Sequence, residues 1–148
     1  MPTIKEKLQD DWKKAMKARD KFKSSTLSMA RAAVLQAEKS DGKKLDDEKV
    51  IEVLAREVKM RRESIPEFQK GNRQDLVDKT NDEINILLQY LPAQLSKDEV
   101  KEYIKQAAAE VGANNIKDMG KIMKNLKTKL SGRADMKAVS QLVKEYLS

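Results

Sequence analysis

Two glycine–cation pairs, Gly120-Lys121 and Gly132-Arg133, are the residues of this 148-residue chain whose types and spacing best suit holding an anion. Glycine lets another backbone approach closely, the neighbouring cation supplies charge, and amides at a helix N-terminus attract phosphate. Plainer explanations compete: Gly132 can simply stop a helix, and Gly120 can serve close helix–helix packing. Interior glycine costs about 1 kcal/mol against alanine, so Gly120 in particular needs a reason. Asp118 and Asp135 are expected to cap helix starts.

The chain offers little else for chemistry. It has no Cys and no His, which removes thiol catalysis, disulfides, Cys-ligated zinc, the usual proton shuttle and the commonest metal ligand. Carboxylates adjoin at Asp10-Asp11, Asp46-Asp47-Glu48 and Asp82-Glu83. All fall at expected helix starts or exposed faces, without the apolar surroundings that raise a pKa. No nucleophile elbow, P-loop or dinucleotide fingerprint is present. No catalytic residue, metal ligand or cofactor is therefore expected, and the seven Met are expected as core fillers.

The elements that must position the two pairs are helices. Only five Gly and three Pro punctuate the chain, and the helical period recurs throughout. Thr3 and Glu6 open a first helix through Leu8, Trp12 and Ala15. A second carries Leu27, Ala30, Val34 and Ala37 up to Gly42. Asp46 or Asp47 caps a third with Ile51, Leu54, Val58, Ile65 and Phe68 on one face, and Pro66 predicts a kink or restart near Ser64. A fourth holds Leu76, Ile84 and Leu87 and stops at Pro92. Ser96 and Glu99 then form a capping box for a helix ended by Gly112. Ile116 to Leu130 reads as one helix, and Asp135 starts the last. The expected fold is all-α, with an N-terminal helical domain over 1–92 of four helices and a C-terminal three-helix domain over 93–148.

The net charge of +7 is unevenly spread. Residues 13–23 sum to +5, residues 59–73 to +3 and residues 117–137 to +5, so the rest of the chain sums to −6. Basic segments favour polyanions, because each neutralised phosphate releases condensed counterions. Exposed lysines on a solvated helix face are the bland alternative. Six aromatics leave little for base stacking, so a contact that reads backbone and shape fits better. There is no run of 18 apolar residues and no apolar region behind the basic N-terminal residues. Neither a transmembrane helix nor a secretory signal is therefore expected, and the expected location is cytoplasmic.

Several stretches occur together in order: Ala15-Met16-Lys17, Arg61-Arg62-Glu63-Ser64-Ile65, Asn72-Arg73-Gln74-Asp75-Leu76-Val77 and Tyr90-Leu91-Pro92-Ala93-Gln94-Leu95-Ser96. They continue with Asp118-Met119-Gly120-Lys121-Ile122-Met123, then Gly132-Arg133-Ala134-Asp135 and Val139. On these residues the chain resembles the YqeY family, whose domain also ends the B subunit of the glutamyl/aspartyl-tRNA amidotransferase. The resemblance implies a GatB/YqeY-like fold of a four-helix and a three-helix part. It also implies tRNA recognition by shape and backbone, with Gly120, Lys121, Gly132 and Arg133 as contacts. Charge and helical spacing add Lys124 and Lys127. Met136 stands where relatives commonly carry Gly or Pro.

The expected function is a non-catalytic, tRNA-binding accessory protein. The alternative is a docking module for an amidotransferase or an aminoacyl-tRNA synthetase that touches no RNA. A third reading is an amidase-like carbon–nitrogen ligase activity, since the family relative is a glutamine-dependent ligase whose core this chain lacks. No membrane partner is expected.

Overall fold

The computed structural model describes residues 2–148, and the regular structure among them is all helical. The chain divides into two compact units at Pro92/Ala93.

The first unit holds α1 (Ile4–Lys17), α2 (Lys21–Asp41), α3 (Asp47–Lys70) and α4 (Gln74–Leu88). Side-chain caps set three of the four starts: Thr3 accepts from the Glu6 amide, Asp20 from Lys23 and Asp46 from Lys49. Gly42, with φ of 72°, ends α2 in the left-handed conformation that glycine adopts without strain. Leu8, Leu27, Val34, Val50, Leu54, Val58 and Leu87 close the core. The buried seam of α3 runs through Val50, Val53, Leu54 and Val58, leaving Ile51 and Phe68 only half-buried.

Pro66 does not restart α3, which runs unbroken past it to Lys70. The Ser64 hydroxyl donates back to the Met60 carbonyl at 3.1 Å, as a mid-helix serine does, and does not cap a new helix. Pro66 lies exposed near the C-terminal end of α3, where few hydrogen bonds remain to lose. Half-buried charge is shared: Arg61 reaches both Glu57 and Glu83 at 3.1 Å, joining α3 to α4.

The second unit holds α5 (Lys97–Val111), a 3-10 turn (Ile116–Asp118), α6 (Met119–Leu130) and α7 (Met136–Leu147). Ser96 and Glu99 make a complete capping box at α5, and the Asp135 side chain caps α7. Val100, Ile104, Ala107, Ile122, Leu126, Leu130, Val139 and Val143 form the core. The methionines are not the core fillers expected from sequence. Met16, Met29 and Met60 are exposed, and Met119, Met123 and Met136 are half-buried at the edge of the second core. Branched Leu, Ile and Val and small Ala take the central positions instead.

Candidate nucleic-acid interface

The site builds from the approach to α6. Asn115 caps the 3-10 turn by accepting from the Lys117 amide at 2.9 Å. Asp118 makes no side-chain cap on α6, contrary to the expectation for it; its carboxylate accepts from the Asn114 amide at 3.2 Å and closes the preceding loop. The helix therefore begins one turn later than the period of the sequence indicates.

Gly120 falls in the first turn of α6 and is exposed. A Cβ added there meets no atom within 4 Å, and its φ is not positive. Helix–helix packing does not account for this glycine, and backbone strain does not either. Lys124 and Lys127 stand at i+4 and i+7 from it, with Lys121 one step to the side, so the four share one exposed face. The apolar stripe of Ile122, Leu126 and Leu130 turns the opposite way, into the core. Lys121 is 69% exposed and reaches Asp118 only at 3.8 Å. Among the described residues, Lys124 and Lys127 enter no ion pair, whereas Lys129, off this face, is held by Glu110 at 3.0 Å. The Asn125 amide and, after it, Lys129 hold the Glu110 carboxyl below its ordinary pKa.

Gly132 and Arg133 do not join that face. They lie beyond the opposite end of the twelve-residue α6, about 18 Å of helix away. Gly132 is buried with φ of 74°, which makes it the turn residue that ends the helix. Its carbonyl accepts from the Gln94 side-chain amide at 2.7 Å, and the Arg133 carbonyl accepts from the Leu95 amide at 2.9 Å. The Arg133 guanidinium donates to the Tyr103 hydroxyl at 3.2 Å and lies 5.8 Å from that ring's centre. Glu99, held below its ordinary pKa chiefly by hydrogen bonds at Ser96, also feels the Arg133 charge.

Sequence reasoning overlooked Gln94 and Tyr103 as holders of this turn. Both sit far from it in sequence, and only the Ala93-Gln94-Leu95 segment between the fourth and fifth helices gave a signal. The basic segments also differ more than their charges suggest. In 59–73, Arg61 is shared by two glutamates, Lys70 meets Glu67 at 3.7 Å and Arg73 meets Asp75 at 2.9 Å. In 13–23, no cation is ion-paired among the described residues.

Three relatives place the chain among known proteins. It is 27% identical over 145 residues to "Altered inheritance of mitochondria protein 41, mitochondrial" of Pyrenophora tritici-repentis, covering 95% of this chain and 79% of the relative. The protein of the same name from Kluyveromyces lactis is 38% identical over 58% of this chain, which spans about half (47%) of that relative. An uncharacterized protein of Schizosaccharomyces pombe is 36% identical over 63% of this chain and 72% of its own length. The mitochondrial names overturn the expected cytoplasmic location. That expectation rested on the lack of a membrane helix and a secretory leader, features that bear on export and not on the choice among internal compartments. The family model for YqeY, described as Yqey-like protein, matches residues 5–147, and the chain therefore belongs to the YqeY family.

Proposed function

We propose that the chain is a non-catalytic accessory protein that grips the phosphate backbone of tRNA along the exposed face of α6. The observation that carries this reading is Gly120, a glycine in a helix with open space where its side chain would be and no conformational need for it. A glycine with no internal reason leaves room for close approach from outside, and Lys121, Lys124 and Lys127 beside it supply charge for phosphates. Gly132 and Arg133 act in this reading by holding the turn that ends α6, with Gln94 and Tyr103 as their anchors. The division into a four-helix and a three-helix domain belongs to the same proposal. From the names of the relatives we take the setting to be mitochondrial.

Binding of unfractionated tRNA by the whole chain, followed as salt is raised, tests this. The logarithm of affinity should fall linearly with the logarithm of salt, by about 0.7–0.9 per phosphate neutralised. Lys124→Glu with Lys127→Glu should weaken binding and make that slope shallower by about 2, at unchanged melting temperature. Undetectable binding at low salt would end this reading and turn the search to a protein partner.

A further inference from the structure

The densest charge of the first unit lies where α1 turns into α2, and the needs of the fold do not account for it. Lys13, Lys14, Lys17, Arg19, Lys21 and Lys23 crowd this turn, exposed except for the half-buried Lys23. The acid among them, Asp20, is committed to the backbone, accepting from the Lys23 amide at 3.1 Å as the cap of α2. Lys14 and Lys17 lie in the last turn of α1, where the helix dipole favours cations. Lys21 and Lys23 lie in the first turn of α2, where the dipole disfavours them; within that turn there is no acid, and the N-cap Asp20 is the single carboxylate beside the two. Arg19 has φ of 57°, a left-handed conformation that glycine or asparagine adopts more easily. Three of the six cations thus stand against local backbone or dipole preference. Positions held against such preferences point to function.

We infer that the α1–α2 turn is a second phosphate-backbone contact, on a different unit from the α6 face, and that its ligand is RNA. The inference rests on the reading above only for the identity of the polyanion. A membrane surface is the other large polyanion, but it requires a free apolar face. The apolar face of α1 is occupied: Leu8 and Ala15 are buried, Ile4 and Trp12 pack against the core, and the Arg31 guanidinium lies 4.3 Å from the centre of the Trp12 ring. Met16 is the large apolar side chain that α1 leaves exposed. The segment 59–73 has less free charge: Arg61 is engaged by Glu57 and Glu83, Lys70 by Glu67 and Arg73 by Asp75, so that among the described residues only Lys59 and Arg62 enter no ion pair.

The experiment compares the whole chain with Arg19→Gly/Lys21→Glu/Lys23→Glu and with Lys124→Glu/Lys127→Glu. The triple variant relieves the dipole and the left-handed backbone, so it should melt at or above the wild-type temperature. Its affinity for unfractionated tRNA should fall about tenfold at low salt, with a salt slope shallower by about 2 to 3. Lys13→Gln/Lys17→Gln/Lys21→Gln, which alters exposed side chains only, should reproduce the loss in milder form. Full binding by both turn variants while the α6 variant is impaired overturns the inference and leaves the α6 reading intact. Loss in the turn variants with an unimpaired α6 variant supports the inference and removes the α6 reading. Loss of binding to phosphatidylserine vesicles in the turn variants, with tRNA binding unchanged, assigns the surface to membranes and overturns the inference.

Discussion

A methyl group added at Gly120 and one added at Gly132 should act in opposite directions. At Gly120 the added carbon meets open space and the backbone is helical, so Gly120→Ala should stabilise the chain by up to about 1 kcal/mol. At Gly132 the backbone is left-handed and the residue buried, so Gly132→Ala should destabilise by about 1–2 kcal/mol or more. Denaturant unfolding of the two variants measures both values. The first variant should also bind tRNA more weakly while being the more stable protein, which separates an external role for Gly120 from a folding role. Both glycines were legible in the sequence as candidates. Their difference was not, because the sign of φ and the space around a Cβ are set by tertiary structure. The exposed Met16, Met29 and Met60 were misread for a related reason: an apolar side chain on a helix declares hydrophobicity, not which way it faces.

Helices were legible as elements because their signals are local. The caps read from the sequence at Thr3, Asp46, Ser96 and Asp135 each satisfy an amide two or three residues on, so a short window of sequence contains the interaction; the cap at Asp20 is as local but went unread. Asp118 and Ser64 failed as caps because each found a competing backbone partner, the Asn114 amide and the Met60 carbonyl. Acid sensitivity belongs to this scale, since several carboxylates pin element ends. Glu38 near the end of α2 accepts from Lys5 of α1 at 2.7 Å and from the Leu45 amide at 2.9 Å, and Lys5 is the main cause of its lowered pKa. Asp75, Glu99 and Glu110 are lowered as well, chiefly by Arg73, the Ser96 backbone and Asn125 respectively. A carboxylate lowered on folding binds fewer protons in the native chain than in the unfolded one. Stability therefore rises with pH through that window. The contribution is complete above the ordinary carboxylate range and is lost as pH falls from about 4.5 toward the lowered native values. Melting temperatures should be flat near neutrality and drop below about pH 4.5. Glu38→Gln should lower the neutral-pH plateau and flatten part of the acid drop, by direction the signature of this one pin.

For the whole molecule, a net charge of +7 favours polyanions in general without saying where one would bind. Ion pairing distinguishes the segments: in 59–73 Arg61, Lys70 and Arg73 are paired, whereas among the described residues no cation of the α1–α2 turn is, and on the α6 face Lys121 alone approaches an acid, Asp118 at 3.8 Å. Which acids come to meet which cations is a long-range fact, exemplified by Arg61 and Glu83 on successive helices, and no sequence window contains it. The unit boundary at Pro92/Ala93 marks a second property of the whole, cooperativity. Each unit has its own buried cluster, with Leu54 fully buried in one and Leu126 fully buried in the other. Leu→Ala at such a site removes about 3–5 kcal/mol. If the units are separate domains, Leu126→Ala should speed native-state amide exchange throughout 93–148 and leave the core of α2 and α3 protected, and Leu54→Ala should do the reverse. The shorter unit buries a smaller fraction of its surface, so its wild-type protection should already be the lower of the two. Equal loss of protection in both units from either substitution would mean one cooperative block, in which phosphate contacts at the α1–α2 turn and on α6 could not be weakened independently by unfolding either unit. Separate loss would mean that the two proposed contacts stand on independently stable units, so that a chain with one unit loosened is expected to bind tRNA through the other at a shallower salt slope.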